Sequence, residues 1–590
     1  MHRHGHFHEE QEVRYDPRLF MRMLGYARPY VPSLLGALAI VLLVTAVQLA
    51  QPYVLKIAID DYILGPGSAQ GLQTLALFFL LLYTMAMVLH YLQFNLLMGT
   101  GQRIINDIRN SVFAHMQTLS IPFFDRNPAG RLVTRVTNDA ETLNEMYTSF
   151  LINLFKDLFM LIGIVIIMLR MHVTLALLTF TIIPPVLLAV ALYRKKARQA
   201  YRELRRQLAR INAAAAENIE GIRVIQAFLQ EKRRGELFMG INQDHYRASL
   251  QELQVFAVFR PVMDLFRSLA LAVLLWFGMG PVIQGTIPFG VLFAFITYVD
   301  HFFRPLNDLS DKYNILQAAM ASAERLFELL DEKAEIASPL EPVRLTRVQG
   351  RVSFEQVWFA YRDANWVLRD VNFSVQPGET VAVIGPTGAG KSSLINLINR
   401  FYDVQKGAVS IDGHNVKTFD LEKLRRQVGV VQQDVFLFSG TIRENITLNR
   451  LSLSNQQLET IARQANAFEF ISKLPLQWET PLGERGASLS TGQRQLLAFA
   501  RILAFQPSIF ILDEATAHID TYTEKLLQDS LQQAIRGRTS FIIAHRLSTV
   551  RQAQRIFFVK EGRLTEIESF QQLVEDLQDY FGPGLQAKKI

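Results

Sequence analysis

The sequence predicts a multi-domain chain: an all-α transmembrane domain of six helices, followed by an α/β domain built around a phosphate-binding (P-) loop. Three observations carry that prediction. Apolar runs long enough to cross a bilayer crowd residues 33–310 and then stop. From Gly350 onward, short apolar runs alternate with polar turns, as in an ordinary α/β domain. Within that part, "GPTGAGKS" at Gly385–Ser392 lies between a strand-like and a helix-like segment.

Size and composition set the frame. A chain of 590 residues is too long for a single compact core. Hydrophobic residues make up 50% and charged residues 19%, an average that hides the split between the two parts. The net charge of +7 fits the Lys and Arg that membrane proteins collect on their cytoplasmic side, and nothing in it points to nucleic acid. There is no cysteine, which excludes disulfides and thiolate metal sites. The opening "MHRHGHFHEE" is read as a polar tail and not as a cleavable signal peptide. His2, His4, His6 and His8 alternate there; they fix no geometry for a metal, and whether they bind one stays open. "DPRLFMRMLGYARPYV" has mixed polarity and reads as a helix on the membrane surface. The expected domains are 1–32 for tail and surface helix, 33–325 for the membrane part, 326–349 for a linker and 350–590 for the α/β part.

A helix needs about 20 apolar residues to span a bilayer. No charge lies between Arg28 and Lys56, which gives span one, or between Asp61 and Arg103, which holds span two near 72–98. "LFMLIGIVIIML" ends span three at Arg170, and "VTLALLTFTIIPPVLLAVALY" is span four. The charge-free run from Ser268 to Val299 holds the end of span five, a turn near "QGTIPFG" and the start of span six. Basic residues crowd 194–234, and Arg103, Arg109, Arg126, Arg131 and Arg135 mark 101–135, whereas 62–71 and 281–287 carry neither Lys nor Arg. Both basic loops and both termini are therefore expected on the cytoplasmic side of the cell membrane.

The glycines of "GPTGAGKS" let backbone N–H groups close around phosphates, and the helix behind directs its positive end at them. Lys391 can reach the β and γ phosphates and Ser392 can ligate Mg²⁺. "SIFILDEAT" supplies a buried strand ending in Asp513, a Mg²⁺ partner, and Glu514, placed as general base. "FIIAHRLS" is another apolar strand, ending at His545, within reach of the γ phosphate.

In order along the chain stand Tyr361, the loop at 385–392, Gln433 in "VVQQDVFLFSGTIREN", "GERGASLSTGQRQ", "ILDEATAHID" and "AHRLS". This series resembles the nucleotide-binding domain of an ATP-binding cassette (ABC) exporter. With six spans in front, the chain resembles a half-transporter of the bacterial multidrug and lipid exporter group. The resemblance implies ATP and Mg²⁺ as ligands. It implies that Tyr361 stacks on adenine and that Gly385, Pro386, Thr387, Gly388, Ala389, Gly390, Lys391, Ser392 and Ser393 hold the phosphates. Ser392, Gln433 and Asp513 would hold Mg²⁺, and Glu514, Gln433 and His545 would act in hydrolysis. Ser490, Thr491, Gly492 and Gln493 would face ATP bound to a partner chain, with Asp520 in the loop crossing that interface. Glu484 and the segments "PFFDRNPAGRLVTRVTND" and "ENIEGIRVIQAF" resemble the regions joining the two domains.

Two such domains close head to tail in this family, each site combining one chain's phosphate loop with the other's signature. Elements acting on this chain's own ATP match the family pattern, whereas those acting on the partner's do not. Thr491 replaces a signature glycine, and "AHID" at 517–520 replaces serine-alanine-leucine-aspartate. A β-branched residue adds bulk and stiffens the backbone where glycine permits close approach. The expected partner is thus a different half-transporter, in a heterodimer with one degenerate site; a homodimer with a tolerated variant is the alternative.

Lys156, Asp157, Asp264, Arg267, Asp300 and Arg304 fall roughly 20–25 Å inward from the outer ends of their spans. A lipid-facing charge there costs at least ~2.5 kcal/mol, so these residues line a polar cavity or pair with one another. Asp264 and Arg267, one turn apart, can pair within one helix. The function expected is an ATPase coupled to export of hydrophobic or amphipathic compounds from the cytoplasm or inner leaflet. A lipid or lipopeptide flippase is the alternative on the same scaffold, and an ATP-gated channel or regulator the alternative of another class. Six spans exclude a soluble ABC ATPase. The substrate itself is not written in the sequence.

Overall fold

A computed structural model describes residues 16–307, 309–343, 348–362, 365–513, 521–544 and 550–567. The alternating histidines, and Glu514, Ala517–Asp520 and His545, lie outside the described residues. Contacts divide the chain into two units. One comprises the residues before Thr118 together with Ala129–Glu332; the other comprises Thr118–Pro128 and the residues from Lys333 onward.

The first unit is helical. Helix α1 (Pro17–Ala27) starts at Asp16, whose carboxylate accepts from the Arg18 N–H, and has Pro17 at its first position. It buries Met23 and Ala27. A short tighter turn leads into α2 (Val31–Ile57). Then come α3 (Ala69–Thr118) and α4 (Ile121–Arg126), which belongs to the second unit. They are followed by α5 (Leu151–Met171), α6 (Val173–Phe180), α7 (Ile183–Glu220), α8 (Glu231–Ile283), α9 (Phe289–Asn307) and α10 (Leu309–Asp331). Span four is broken between α6 and α7, where Pro184 and Pro185 supply no N–H to continue the ladder.

Among the described residues, five helical runs are long and apolar enough to cross a membrane: Pro17–Ile63, Ala69–Thr118, Ala129–Met171, Val173–Glu220 and Glu231–Ile283. The sixth expected span corresponds to α9, whose apolar character is diluted by Asp300, His301 and Arg304. The outer ends of spans one and six are tied together. Asp60 accepts from the Gly290 N–H at 2.5 Å, and the buried Tyr298 hydroxyl donates to the Leu49 carbonyl at 2.7 Å.

The intramembrane charges are largely paired. Arg267 of α8 contacts Asp300 of α9 at 3.2 Å and Asp264, one turn away, at 3.7 Å. Lys312 pairs with Asp157. Lys156 and Arg304 have no ion pair among the described residues. Nearer the end of the unit, Asp139 accepts from Arg325 Nε at 3.0 Å and from the Ser322 hydroxyl at 3.0 Å, with its side chain only 9% exposed. Arg22 of α1 pairs with Asp331, and its guanidinium lies 4.4 Å from the Phe327 ring centroid. The linker expected at 326–349 is thus helical as far as Asp331.

The second unit is α/β. An antiparallel sheet places β1 (Val352–Phe359) between β2 (Leu368–Val375) and β4 (Lys406–Ile411). A six-stranded sheet runs in the order β9-β8-β3-β7-β6-β5. Its strands are β3 (Thr380–Ile384), β5 (Val428–Val431), β6 (Ile509–Asp513), β7 (Thr539–Ile543), β8 (Arg555–Lys560) and β9 (Arg563–Ile567). Every pairing is parallel except β8 with β9. Strands β3 and β7 are buried along their whole length, as expected for parallel strands covered on both faces. Helix α11 (Lys391–Ile398) follows β3, and helices α12 (Thr491–Phe505) and α13 (Thr521–Ile535) pack against each other.

Asp139 is the buried member of this cluster, and truncating it removes the acceptor shared by Arg325 and the Ser322 hydroxyl. Asp139→Ala is therefore expected to cost about 2 kcal/mol or more, and Asp139→Asn less. Thermal unfolding of the detergent-purified protein checks this; an unchanged Tm for Asp139→Ala would show that the cluster adds nothing.

Candidate nucleotide site

Strand β3 delivers the chain into the loop Gly385–Gly390. Gly385 has φ 146°, and a Cβ there would stand 2.1 Å from the Val559 carbonyl oxygen, so only glycine fits. Helix α11 begins at Lys391, whose side chain is buried in the loop and donates to the carbonyls of Gly385 at 2.8 Å and Pro386 at 3.0 Å. Burial holds the Lys391 ammonium below its usual pKa, and the Asp513 charge opposes that shift. Asp513 closes β6, and the Ser392 hydroxyl donates to its Oδ2 at 3.4 Å. A hydroxyl beside a carboxylate is a hard-oxygen donor pair of the kind Mg²⁺ takes.

The register explains the grouping. Ile543 of β7 lies opposite both Val383 of β3 and Asp513 of β6. Val431 of β5 lies opposite Leu512, so Gln433, two residues on, leaves the same edge of the sheet. Gln433 is exposed there. The segment behind it is held by Asn445, which accepts from the Phe438 N–H and donates to the Phe438 carbonyl, and by Arg501 of α12, which donates to the Phe436 carbonyl.

Tyr361 stands just past β1. Its hydroxyl bonds the Ser393 hydroxyl at 3.0 Å and accepts from Asn396 at 3.3 Å, both on α11. Ser393 is thus engaged with Tyr361 and buried. The Tyr361 ring meets Phe359 and Tyr402 edge-on, yet stays 45% exposed. Tyr402, which no sequence motif singles out, donates to Asp125 of α4. Burial, then that bond, pushes the Tyr402 phenol well above its ordinary pKa.

The signature opens α12. Ser490 caps it: its hydroxyl accepts from the Gln493 N–H at 3.2 Å, and the Gln493 side chain accepts from the Ser490 N–H at 3.0 Å. Thr491 is the first helical residue, exposed, with its hydroxyl accepting from Arg494 at 3.1 Å. Gly492 is buried, and a Cβ there would meet the Thr523 methyl at 2.2 Å. Among the described residues, the side chains of Ser490, Thr491 and Gln493 bond within their own helix turn and to Arg494, not to the phosphate loop.

Known proteins share both halves of this arrangement. Residues 34–306 match the ABC transporter transmembrane region and residues 368–517 match the ABC transporter family. An ABC transporter ATP-binding protein of Bacillus subtilis, YknV, is 38% identical over 94% of this chain and 92% of its own length. A probable multidrug resistance ABC transporter ATP-binding/permease protein of B. subtilis, YheH, is 39% identical over 82% of this chain and 72% of its own. The ATP-dependent lipid A-core flippase of Syntrophus aciditrophicus is 33% identical over 95% and 93%. A solved bacterial Atm1-family ABC exporter with ATP bound superposes with a TM-score of 0.75 at 28% identity, covering 96% of this chain and 98% of that one. With apolar spanning helices in front of a cytoplasmic ATP site, the chain belongs to the ABC exporter family, as a multi-pass half-transporter whose ATPase is coupled to transport.

Proposed function

We propose that this chain is the hydrolytically competent half of a heterodimeric exporter for hydrophobic or amphipathic compounds. The observation that carries the reading is the division of its motifs. Lys391, Ser392, Gln433, Asp513, Glu514 and His545 all have the residue types that act on the chain's own ATP. The departures, Thr491 and the "AHID" stretch, belong to elements that face a partner's.

On this reading Tyr361 stacks on adenine, and Lys391 exchanges the carbonyls of Gly385 and Pro386 for phosphate oxygens. Ser392, Asp513 and Gln433 would hold Mg²⁺, which when bound would supply charge neutralisation at the phosphates. Glu514 takes the proton of the attacking water, and His545 contacts the γ phosphate. ATP drives the conformational change because a closed dimer binds it better than an open one. The likeness to proteins named for lipid A-core flipping supports a second reading, lipid export, on the same scaffold. Stimulation of the ATPase by added compounds and their uphill movement in vesicles favour a drug pump; movement of labelled lipid between leaflets favours a flippase; passive ion current would favour a channel over both.

A positioned general base contributes roughly 10²–10⁴-fold. Glu514→Gln should therefore cut ATP turnover by about 10²-fold or more, with ATP affinity retained. Loss of nucleotide binding, or unchanged turnover, counts against Glu514 as the base.

The two signature positions should behave differently. Gly492→Ala overpacks a buried contact and should lower stability by about 1–3 kcal/mol, visible as a lower Tm. Thr491→Gly should leave Tm in place and change turnover of the co-purified pair less than twofold, because a restored signature cannot supply a base. The co-purified partner should have two glycines in its signature and a residue other than Glu after its Mg²⁺-binding Asp. Full-rate transport by this chain alone would sink the heterodimer, as would a several-fold gain from Thr491→Gly.

A further inference from the structure

We infer that Gln405 and Tyr402 are positioning residues that set the base-stacking ring of Tyr361, and that Tyr402 ties that ring to Asp125 of the first cytoplasmic loop. The inference rests on the reading of Tyr361 as the adenine platform.

The backbone argument concerns Gln405. Strand β1 ends at Phe359, so the next residue has lost its ladder partner. The Gln405 side chain replaces it: the Ala360 N–H donates to Gln405 Oε1 at 3.0 Å, and Gln405 Nε2 donates to the Ala360 carbonyl at 2.8 Å. The Gln405 N–H itself donates to the Trp358 carbonyl at 3.2 Å. One amide thus adds a rung to the β1–β4 ladder and fixes the backbone immediately before Tyr361. Only a side chain that both donates and accepts can do this, so Glu, of equal length, cannot.

The ring argument concerns Tyr402. Its ring stands perpendicular to Tyr361 at 4.9 Å, and Phe359 meets the two rings at 4.8 and 5.6 Å. The far end of Tyr361 is fixed by Ser393 and Asn396. The Tyr361 ring is therefore held at its backbone, its edge and its hydroxyl, while nearly half of it stays open. An aromatic fixed this way and left exposed is a stacking platform and not a core residue. The Tyr402 hydroxyl donates to Asp125, so a shift of α4 moves the ring.

The test measures KM for ATP and kcat in the full chain with its partner, together with inhibition by inorganic tripolyphosphate, which has no base. Tyr361→Ala is the reference: if it leaves KM unchanged, the platform reading fails independently of this inference. Given that it raises KM, Gln405→Ala, Gln405→Glu and Tyr402→Ala should each raise KM for ATP about three- to tenfold, with kcat within about twofold and tripolyphosphate inhibition unmoved. Tyr402→Phe, which keeps the ring edge and loses only the bond to Asp125, should give a KM between those of the wild type and Tyr402→Ala, equal to that of Asp125→Ala. Asp125→Ala should raise KM in the same direction from outside the ATP-binding fold. An unchanged KM in the Gln405 and Tyr402 variants overturns the inference. So does an equal loss of ATP and tripolyphosphate binding, which marks a damaged fold. An unchanged KM in Asp125→Ala overturns the link to the loop.

Discussion

The parallel register of β3, β7 and β6 is the constraint on which the ATP site depends. Side chains along these strands alternate between two apolar clusters. Ala382, Ile384, Phe510, Leu512 and Ile542 enter one; Val381, Val383, Ile509, Ile511, Phe541 and Ile543 enter the other. A slip of one residue in any strand would exchange the sets and turn every side chain to the wrong face. Asp513 continues the odd-numbered series. Its face is the one on which α11 packs through Leu394, Ile395, Leu397 and Ile398. The proximity of the Ser392 hydroxyl to the Asp513 carboxylate is therefore a consequence of strand parity, set by apolar residues that never touch a nucleotide.

The membrane domain obeys a different rule, because its polar groups cannot use water as a partner. Its spans were legible as charge-free runs, and the break in span four was written in Pro184 and Pro185. The pairing of the charges was only half legible. Spacing gave Asp264 with Arg267, one turn apart, but the shorter contact of Arg267 is with Asp300 on the neighbouring helix. Asp157 finds Lys312, 155 residues away. Sequence spacing reports neighbours on one helix; which helices face each other is decided by packing, and no period in the sequence encodes it. The sixth expected span, whose start is legible in the charge-free run Ser268–Val299, is a helix, α9, but Asp300, His301 and Arg304 dilute it, and it is not among the five described runs long and apolar enough to cross.

In the α/β unit, what was legible is what is local. The phosphate loop, Lys391, Ser392 and the strand ending at Asp513 are contiguous motifs whose residue types follow from their chemistry. Strand β1 was legible from alternation, but its pattern breaks: Val352 and Phe354 are buried, and then Val357 and Phe359. The odd step is absorbed by a bulge where Gln356 has φ 48°. Gln405 and Tyr402 were not legible, since each acts on a residue about 40 positions earlier through the β1–β4 pairing. Read in isolation, "FYDVQKG" looks like a polar loop.

The signature shows why two neighbouring positions can carry different meanings. At Gly492 the demand comes from within the chain: the Thr523 methyl occupies the space a side chain would need, whatever is bound nearby. At Thr491 no such demand arises among the described residues: it is exposed at the first turn of α12 and its hydroxyl is taken up by Arg494. The fold of this chain alone therefore tolerates threonine there at no cost in packing. On the proposed reading, pressure for glycine at that position comes from outside the chain, from whatever approaches the N-terminus of α12. Ser490 and Gln493 remain suited to meet such a group, but they cap the helix with each other first. On the proposed reading, a position without that internal constraint reports on the partner's site and not on this chain's stability, so the departure at Thr491 coexists with an otherwise complete set of motifs.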